Sequence, residues 1–195
     1  MDALIQTVIL TSIPLILAAT GELIAERSGV LNLGVEGMML MGAVAAFAIT
    51  SLSGNPYFGI IAAAVAGAMT AAIFAVFTLG LATNQVATGL ALTIFGTGLS
   101  GLVGAPFVGG TVDGLKAVSI PVLSDLPMLG GLLFELDLLA YGAFVMLALV
   151  AWFLNKSRAG LILRAVGNSH GSAHALGYSV LRVRCAAVIF GGLMA

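Results

Sequence analysis

No Asp, Glu, Lys, Arg or His occurs between Gly37 and Val112. A membrane-spanning helix needs roughly 20 apolar residues, so a tract of this length holds most of three spans separated by weak breakers. Across the whole chain, 61% of residues are hydrophobic and 8% are charged, whereas a soluble domain needs about a quarter of its residues charged to cover its surface. The sequence therefore predicts an all-α fold, a polytopic bundle of transmembrane helices, and excludes a soluble globular domain.

Turn and polar residues divide the chain into about five full spans and the start of a sixth. The full spans are mostly apolar runs, predicted at residues 3–20, 30–52, 57–81, 86–107 and 138–154. The most polar connections between them are residues 21–29, 109–137 and 155–184. Residues 1–195 are predicted to form a single transmembrane domain.

The last apolar run, residues 185–195, is short for a span. As a helix it would be about 16 Å long at 1.5 Å per residue, half of a hydrocarbon core near 30 Å. A free carboxylate at Ala195 would then end in hydrocarbon, where a charge costs at least about 2.5–3.5 kcal/mol. We therefore expect the sequence to be incomplete at its C-terminus.

The distribution of Lys and Arg between the connections predicts the orientation. Residues 155–184 contain no acid and five basic residues, namely Lys156, Arg158, Arg164, Arg182 and Arg184. Residues 109–137 contain one basic residue, Lys116. Because basic loops stay in the cytoplasm, the segment 155–184 is predicted to be cytoplasmic. Counting spans backwards places Met1 outside and the patch 21–29 inside.

Glu36 is the most informative ionisable residue. It lies about six residues, or roughly 9 Å, into the second predicted span, between Gly34 and Gly37. An acid at that depth should face the bundle interior, a polar cavity or a partner, and the glycines can loosen the helix there. The alternative is a structural acid near the interface, held by a backbone N–H or by Arg27. Both interpretations remain open.

Three carboxamide side chains are further candidates for a transport pathway. Asn32 lies four residues before Glu36, so it would share the same helical face. Asn84 and Gln85 form part of the short polar connection between the third and fourth predicted spans. Together with Glu36 they make up the predicted pathway.

Two other pairs of titratable residues have simpler interpretations. Glu22 and Glu26 stand one turn apart, and we interpret them as a solvated helix end beside Arg27 and not as an acid–base pair. His170 and His174 have the spacing of a metal pair on a helix, but no acid lies nearby to complete a site. We therefore predict no metal site.

The basic segment 155–184 contains the signals of a short helix. Asn168 or Ser169 can cap its N-terminus, and Gly177 can cap its C-terminus. A capped and nearly uncharged helix between two spans indicates that the segment docks onto something.

Four stretches carry a resemblance to a known family. They are GELIAERSGVLNLGVEGMMLMG at residues 21–42, NQVATGLAL at 84–92, IPVLSDLP at 120–127 and GLILRAVGN at 160–168. With these motifs the chain resembles the inner-membrane permeases of ABC importers for simple sugars and nucleosides, in the branch that works with lipoprotein nucleoside-binding proteins. The likeness extends over the whole chain, and the first motif is long enough to be specific.

The resemblance implies a role for the short cytoplasmic helix. In this family it is the coupling helix, which sits in a cleft of the ATPase subunit, and it maps onto about residues 169–178. The residues implied in coupling are Arg164, Gly167, Asn168, Ser169, Ala173, Leu176 and Gly177.

The resemblance also implies the partners. They are an ABC ATPase subunit, a second permease subunit, an extracytoplasmic substrate-binding lipoprotein and the lipid of a bacterial cytoplasmic membrane. The chain lacks a phosphate-binding Gly-rich motif, so ATP and Mg are expected on the ATPase subunit and no cofactor on this chain. Its net charge of −1 implies no nucleic-acid partner. This chain is therefore not expected to be an enzyme.

Two other function classes compete with an ABC permease. An ion-gradient-driven carrier or channel would use Glu36 as its ion site, but it has no need of a docking helix. A membrane-embedded enzyme would need a clustered nucleophile, base or metal set, which the sequence does not show. The resemblance of the motifs favours a nucleoside as cargo over a pentose or hexose. The sequence itself does not identify the cargo.

Overall fold

The computed structural model describes residues 2–112, 114–115, 117–119 and 135–195. Lys116 and the motif at residues 120–127 lie outside this part of the chain. Within it the α-helices are α1 (Asp2–Arg27), α2 (Val35–Ser53), α3 (Pro56–Ala75), α4 (Gln85–Gly104), α5 (Leu138–Lys156), α6 (Arg158–Asn168), α7 (His170–Ala175) and α8 (Val180–Met194).

Four shorter elements complete the described secondary structure. A π-helical turn, Val76–Gly80, extends α3, and a 3-10 turn, Ala105–Phe107, extends α4. Two strands of three residues, β1 (Ala117–Ser119) and β2 (Glu135–Asp137), pair in antiparallel fashion before α5.

Five helical stretches of the described chain are long and apolar enough to cross a membrane. They are Leu4–Arg27, Val35–Ser53, Pro56–Gly80, Gln85–Phe107 and Leu138–Lys156. The predicted all-α polytopic bundle is thereby confirmed, and the third, fourth and fifth spans begin and end within two residues of their predicted bounds.

Three predicted boundaries were wrong. The first span does not end at residue 20, because Gly21 is packed against Gly191 of α8 and α1 continues to Arg27. The second span begins at Val35 and not at residue 30. The basic connection is shorter than residues 155–184, since α5 continues to Lys156 and α8 begins at Val180. At the first and third of these boundaries the helix includes polar residues, whose backbone is satisfied by intrahelical hydrogen bonds. At the second boundary the chain runs without a regular helix before α2 begins.

The spans pack in a defined order. α2 lies between α3 and α4, α3 packs on α8, α8 packs on α1, and α1 packs on α5. The most buried side chains of the central cluster are Ala25, Val30, Met38, Ala71, Phe74 and Val188. A second cluster joins α1, α5, α6 and α8 through Ile24, Val150, Leu154, Leu163 and Ala187.

Glycine allows two pairs of helices to approach closely. A Cβ added at Gly67 of α3 would overlap the carbonyl oxygen of Gly192 in α8. A Cβ added at Gly37 of α2 would lie 2.6 Å from the carbonyl oxygen of Leu92 in α4. Small residues at such crossings let backbones touch, which is how membrane helices associate without a hydrophobic driving force.

Candidate functional site: the linker between the first two spans and the helices beside it

The connection between α1 and α2, residues 28–34, has no regular helix, and every second residue of it is buried. We call it the linker. Ser28, Val30 and Asn32 have exposed fractions of 0%, 1% and 2%. Irregular backbone within a membrane protein is tolerated only where protein or a water-filled cavity surrounds it, because each N–H and C=O needs a partner. The partners of the linker therefore show what holds it.

On the α1 side, the linker is held by Glu22. Its Oε1 accepts a hydrogen bond of 3.0 Å from the backbone N–H of Asn32. The side chain of Asn32 folds back on the linker, and its Oδ1 accepts from the N–H of Gly34 at 2.9 Å. The Nδ2 of Asn32 lies 3.5 Å from the sulfur of Met38. Asn32 thus fixes the turn into α2, and Glu22 fixes Asn32.

On the α4 side, two polar side chains bind the linker backbone. The Oε1 of Gln85 accepts a hydrogen bond of 2.8 Å from the N–H of Leu31, and the Oγ1 of Thr93 donates to the carbonyl oxygen of Leu33 at 3.1 Å. A Cβ added at Gly89 would lie 2.8 Å from the backbone nitrogen of Leu33. The start of α4 and the linker are therefore in direct backbone contact.

The linker also contacts α6 and α8. The Nε of Arg184 in α8 donates to the carbonyl oxygen of Ser28 at 3.1 Å. Gly29 has a positive φ of 85°, a conformation that glycine adopts without a steric penalty. A Cβ added there would lie 3.0 Å from Nη2 of Arg184 and 3.2 Å from Cα of Gly167 in α6. Four helices thus meet at the linker, at the end of the bundle that carries α6 and α7, which we call the basic end.

The predicted pathway residues do not form one cluster. Asn32 and Gln85 both hold the linker. Asn84 is exposed, and its side chain caps α4 by accepting from the N–H of Ala87 at 3.1 Å. Glu36 is also exposed.

The depth predicted for Glu36 was wrong, as was the helical face that it was predicted to share with Asn32. Because α2 begins at Val35, Glu36 lies in the first helical turn, where a negative charge interacts favourably with the helix dipole. Asn32 lies outside the helix.

Glu22 is the site residue that the sequence interpretation missed. It was assigned to a solvated helix end, but its side chain is only partly exposed, and its Oε2 is buried with no hydrogen-bond partner among the described residues. The motif at residues 21–42 contains both Glu22 and Asn32, and its length was the one available signal. Helical spacing could not pair them because the chain leaves the helix between them.

The amphipathic helix α6 packs its apolar face on the bundle. Ser157 caps it by accepting from the N–H of Gly160, and Leu163 and Val166 are buried. At its C-terminal end, a Cβ added to Gly167 would overlap the carbonyl oxygen of Arg27 at the end of α1. The helix therefore touches the start of the linker directly.

A polar cavity of about 480 Å³ lies beside this contact. It is lined by Glu26, Arg27, Leu161, Arg164, Ala165, Gly167 and Asn168. The Nε of Arg164 is buried without a hydrogen-bond partner among the described residues. Arg164, Gly167 and Asn168 are thus brought together at this end of α6.

The short helix α7 projects from the basic end. Ser169 caps it, with its Oγ accepting from the N–H of Ser172, and Gly177 ends the turn with a φ of 87°. Ser169, one of the two predicted N-caps, is confirmed, and Gly177 lies in the left-handed conformation one residue beyond the C-cap residue Leu176. Ala173 is 2% exposed and faces the bundle, whereas the other residues of α7 are exposed and Leu176, just beyond it, is 75% exposed. The helix is anchored by one small side chain and presents the rest of its surface outward.

No group of three or more His, Cys, Asp and Glu side chains in the described ranges could hold a metal ion. His170 and His174 therefore have no third ligand of these types among the described residues. The chemistry of the site consists of hydrogen bonds and packing.

In the described part of the chain, five helices long and apolar enough to cross a membrane, an irregular linker and a capped helix at one end of the bundle define a multi-pass membrane protein. Residues 4–195 match the family described as the permease component of the branched-chain amino acid transport system, and the chain belongs to this family. It is accordingly a multi-pass protein of the cytoplasmic membrane.

Three relatives are similar over nearly the whole chain. TsgC13 of Haloferax volcanii, an ABC transporter permease provisionally assigned to glucose, is 40% identical over 91% of this chain and 55% of its own length. NupC of Lactococcus lactis, a nucleoside ABC transporter permease, is 29% identical over 100% of this chain and 65% of its own length. NupQ of Bacillus subtilis, a guanosine ABC transporter permease, is 28% identical over 99% of this chain and 64% of its own length.

The chain spans between 55% and 65% of the length of these relatives. No solved structure matches it.

Proposed function

We propose that this chain is the transmembrane permease subunit of an ABC importer that moves a nucleoside or a simple sugar across the cytoplasmic membrane. The observation that carries the proposal is α7, a capped helix with a single buried side chain, Ala173, and an otherwise exposed surface. The names of NupC and NupQ favour a nucleoside as cargo, and that of TsgC13 keeps a sugar as the alternative.

The contacts at the basic end suggest how movement of α7 would reach the spans. α7 follows α6 after one residue, Ser169, whose N–H donates to the carbonyl oxygen of Ala165. α6 touches the linker through Gly167, and the linker is hydrogen-bonded to α1, α4 and α8. A push on α7 would therefore be transmitted through packed backbone to the start of α2 and α4.

The mechanism that we infer is alternating access. ATP binding would close a pair of ATPase subunits on the cytoplasmic side, and their movement would shift the coupling helices of two permease subunits. ATP and Mg would be used by the ATPase, and a binding protein would deliver the cargo from outside. Arg164 and Asn168, beside the polar cavity, would contribute to the same coupling surface.

The predicted pathway residues take different roles in this proposal. Asn32 and Gln85 would act as positioning residues that hold the linker, because their polar atoms already bond to its backbone. Glu36 stays a candidate for contact with cargo since its carboxylate is exposed at the start of α2. Asn84 would keep the first turn of α4 intact.

An ion-gradient-driven carrier is not favoured. The carrier that the sequence left open would use Glu36 as its ion site within the bundle, and Glu36 instead lies exposed in the first turn of α2. The family and the relatives are permeases of transport systems, and the relatives are named as ABC transporters.

Reconstitution tests the proposal. The full-length permease, with its ATPase and binding protein, is placed in liposomes, and uptake of a labelled nucleoside is measured. We expect uptake to require ATP on the ATPase side and to persist when ionophores abolish proton and sodium gradients. Uptake driven by an ion gradient without ATP would contradict it.

A further inference from the structure

An apolar groove of about 580 Å³ lies between α1, α5, α6 and α8, apart from the linker. Every side chain that lines it is aliphatic or aromatic, including Ile24, Met146, Phe153, Ile162, Val183 and Phe190. The groove is open at its surface, where Leu149 and Trp152 are 50% and 60% exposed. The indole N–H of Trp152 is the one polar side-chain group among the lining residues, so the groove does not resemble a site for a nucleoside or a sugar.

The lining of the groove along α5 is about two-thirds as long as the hydrocarbon depth of one lipid leaflet. Along α5 its lining runs from Met146 to Phe153, which is about 10 Å at 1.5 Å per residue, against about 15 Å for half of a hydrocarbon core. One turn beyond Phe153 the helix ends at Lys156, where the amphipathic helix α6 begins. The groove thus starts at the membrane surface of the basic end and runs inward.

Three cations are close in sequence to residues that line the groove. Lys156, Arg158 and Arg182 are exposed and lie within three residues of lining positions on α5, α6 and α8. No acidic residue occurs anywhere in residues 138–195. Of the α1 acids, Glu22 bonds to the linker and Glu26 lines the polar cavity.

We propose that this groove binds an anionic phospholipid of the leaflet at the basic end. One acyl chain would fill the groove, and the phosphate would lie among Lys156, Arg158 and Arg182. The apolar lining accounts for binding of the acyl chain. The three cations, which lie in a stretch of sequence without Asp or Glu, account for the preference for a negative headgroup. Each cation near an anionic membrane surface strengthens binding about fivefold.

The chain contains a probe at the site, because Trp152 is its single tryptophan. The full-length protein, with Trp152 kept as the sole tryptophan, is reconstituted in phosphatidylcholine vesicles that contain brominated phosphatidylglycerol or brominated phosphatidylcholine. Bromine quenches indole fluorescence on contact. We expect phosphatidylglycerol to bind next to Trp152 at least fivefold more strongly than phosphatidylcholine does.

Two variants separate the groove from general lipid contact. Ala186→Leu fills the groove and should reduce quenching by both lipids, whereas the matched control Ala151→Leu, on exposed α5 surface outside the groove, should not. Replacing Lys156, Arg158 and Arg182 together with Gln should lower the preference for phosphatidylglycerol to about one.

Three results would overturn the proposal. The first is equal quenching by the two lipids, and the second is equal quenching in Ala186→Leu and Ala151→Leu. The third is absence of quenching by either lipid, which would mean that a protein segment covers the groove.

Discussion

The backbone N–H of Asn32 donates to Oε1 of Glu22 across 3.0 Å and joins the linker to the first span. Glu22→Ala would leave this buried N–H unpaired, which costs about 1–3 kcal/mol of stability. Glu22→Gln keeps an acceptor oxygen and should stay close to the native protein.

The matched control is Glu26→Ala, one turn further along α1 on an exposed position, with an expected change within about 0.5 kcal/mol. Unfolding in detergent is measured for all three variants. Equal losses for Glu22→Ala and Glu26→Ala would show that the hydrogen bond to Asn32 does not hold the linker.

A second prediction concerns the contact between α6 and the linker. In Gly167→Ala, the new Cβ would overlap the carbonyl oxygen of Arg27, so α6 must move away at a cost of about 1–3 kcal/mol. Uptake by the assembled transporter should fall about tenfold or more, while the ATPase continues to hydrolyse ATP. Gly142→Ala in α5, where no atom lies within 4 Å of the new Cβ, is the control and should transport normally. Normal uptake by Gly167→Ala would disprove the transmission route.

A third prediction concerns the crossing of α3 and α8. Gly67→Ala would force the helices apart at Gly192 and should lower the free energy of unfolding by about 1–3 kcal/mol. Gly101→Ala, in an open part of α4, removes the same glycine flexibility without a new contact. If thermal unfolding of the two variants is the same, close backbone packing at Gly67 does not stabilise the bundle.

Much of the fold could be predicted because membrane spans are read from composition alone. The third to fifth spans and the caps of α7 at Ser169 and Gly177 depend on local signals. The linker could not be predicted in this way. Two of the hydrogen bonds to its backbone come from side chains far away in sequence. Gln85 is 54 residues from its partner Leu31, and Thr93 is 60 residues from its partner Leu33.

The site was predicted only in part for the same reason. The motif at residues 21–42 was visible, but the end of the first span was placed before Glu22, which made this residue look solvated. Once α1 continues to Arg27, Glu22 lies inside the bundle and Glu36 moves to a helix start. Errors of a few residues at two helix boundaries were therefore enough to make Glu22 look solvated and Glu36 look buried in a span.

The orientation gives a fourth prediction. In a Cys185→Ser background, Ser53→Cys at the exposed end of α2 should react with an impermeant thiol reagent added to intact cells. Ser172→Cys, exposed on α7, should react only after the membrane is permeabilised. The reverse pattern would place α7 outside the cell, and the coupling assignment would then be wrong.

The most direct test of the central claim is uptake by two proline variants of α7 in the assembled transporter. Ala173→Pro removes the hydrogen bond from the Ala173 N–H to the Ser169 carbonyl oxygen, and a proline inside a helix costs about 3 kcal/mol. His170→Pro is the matched control, because the first helical position tolerates proline and Ser169 before it is already extended, with φ −153° and ψ 93°.

Uptake and ATP hydrolysis are measured together for both variants, after equal insertion and assembly have been verified. We predict that Ala173→Pro loses uptake while ATP hydrolysis continues without stimulation by cargo, and that His170→Pro retains both activities. Equal uptake by Ala173→Pro and His170→Pro would contradict the proposal that α7 couples this permease to an ATPase.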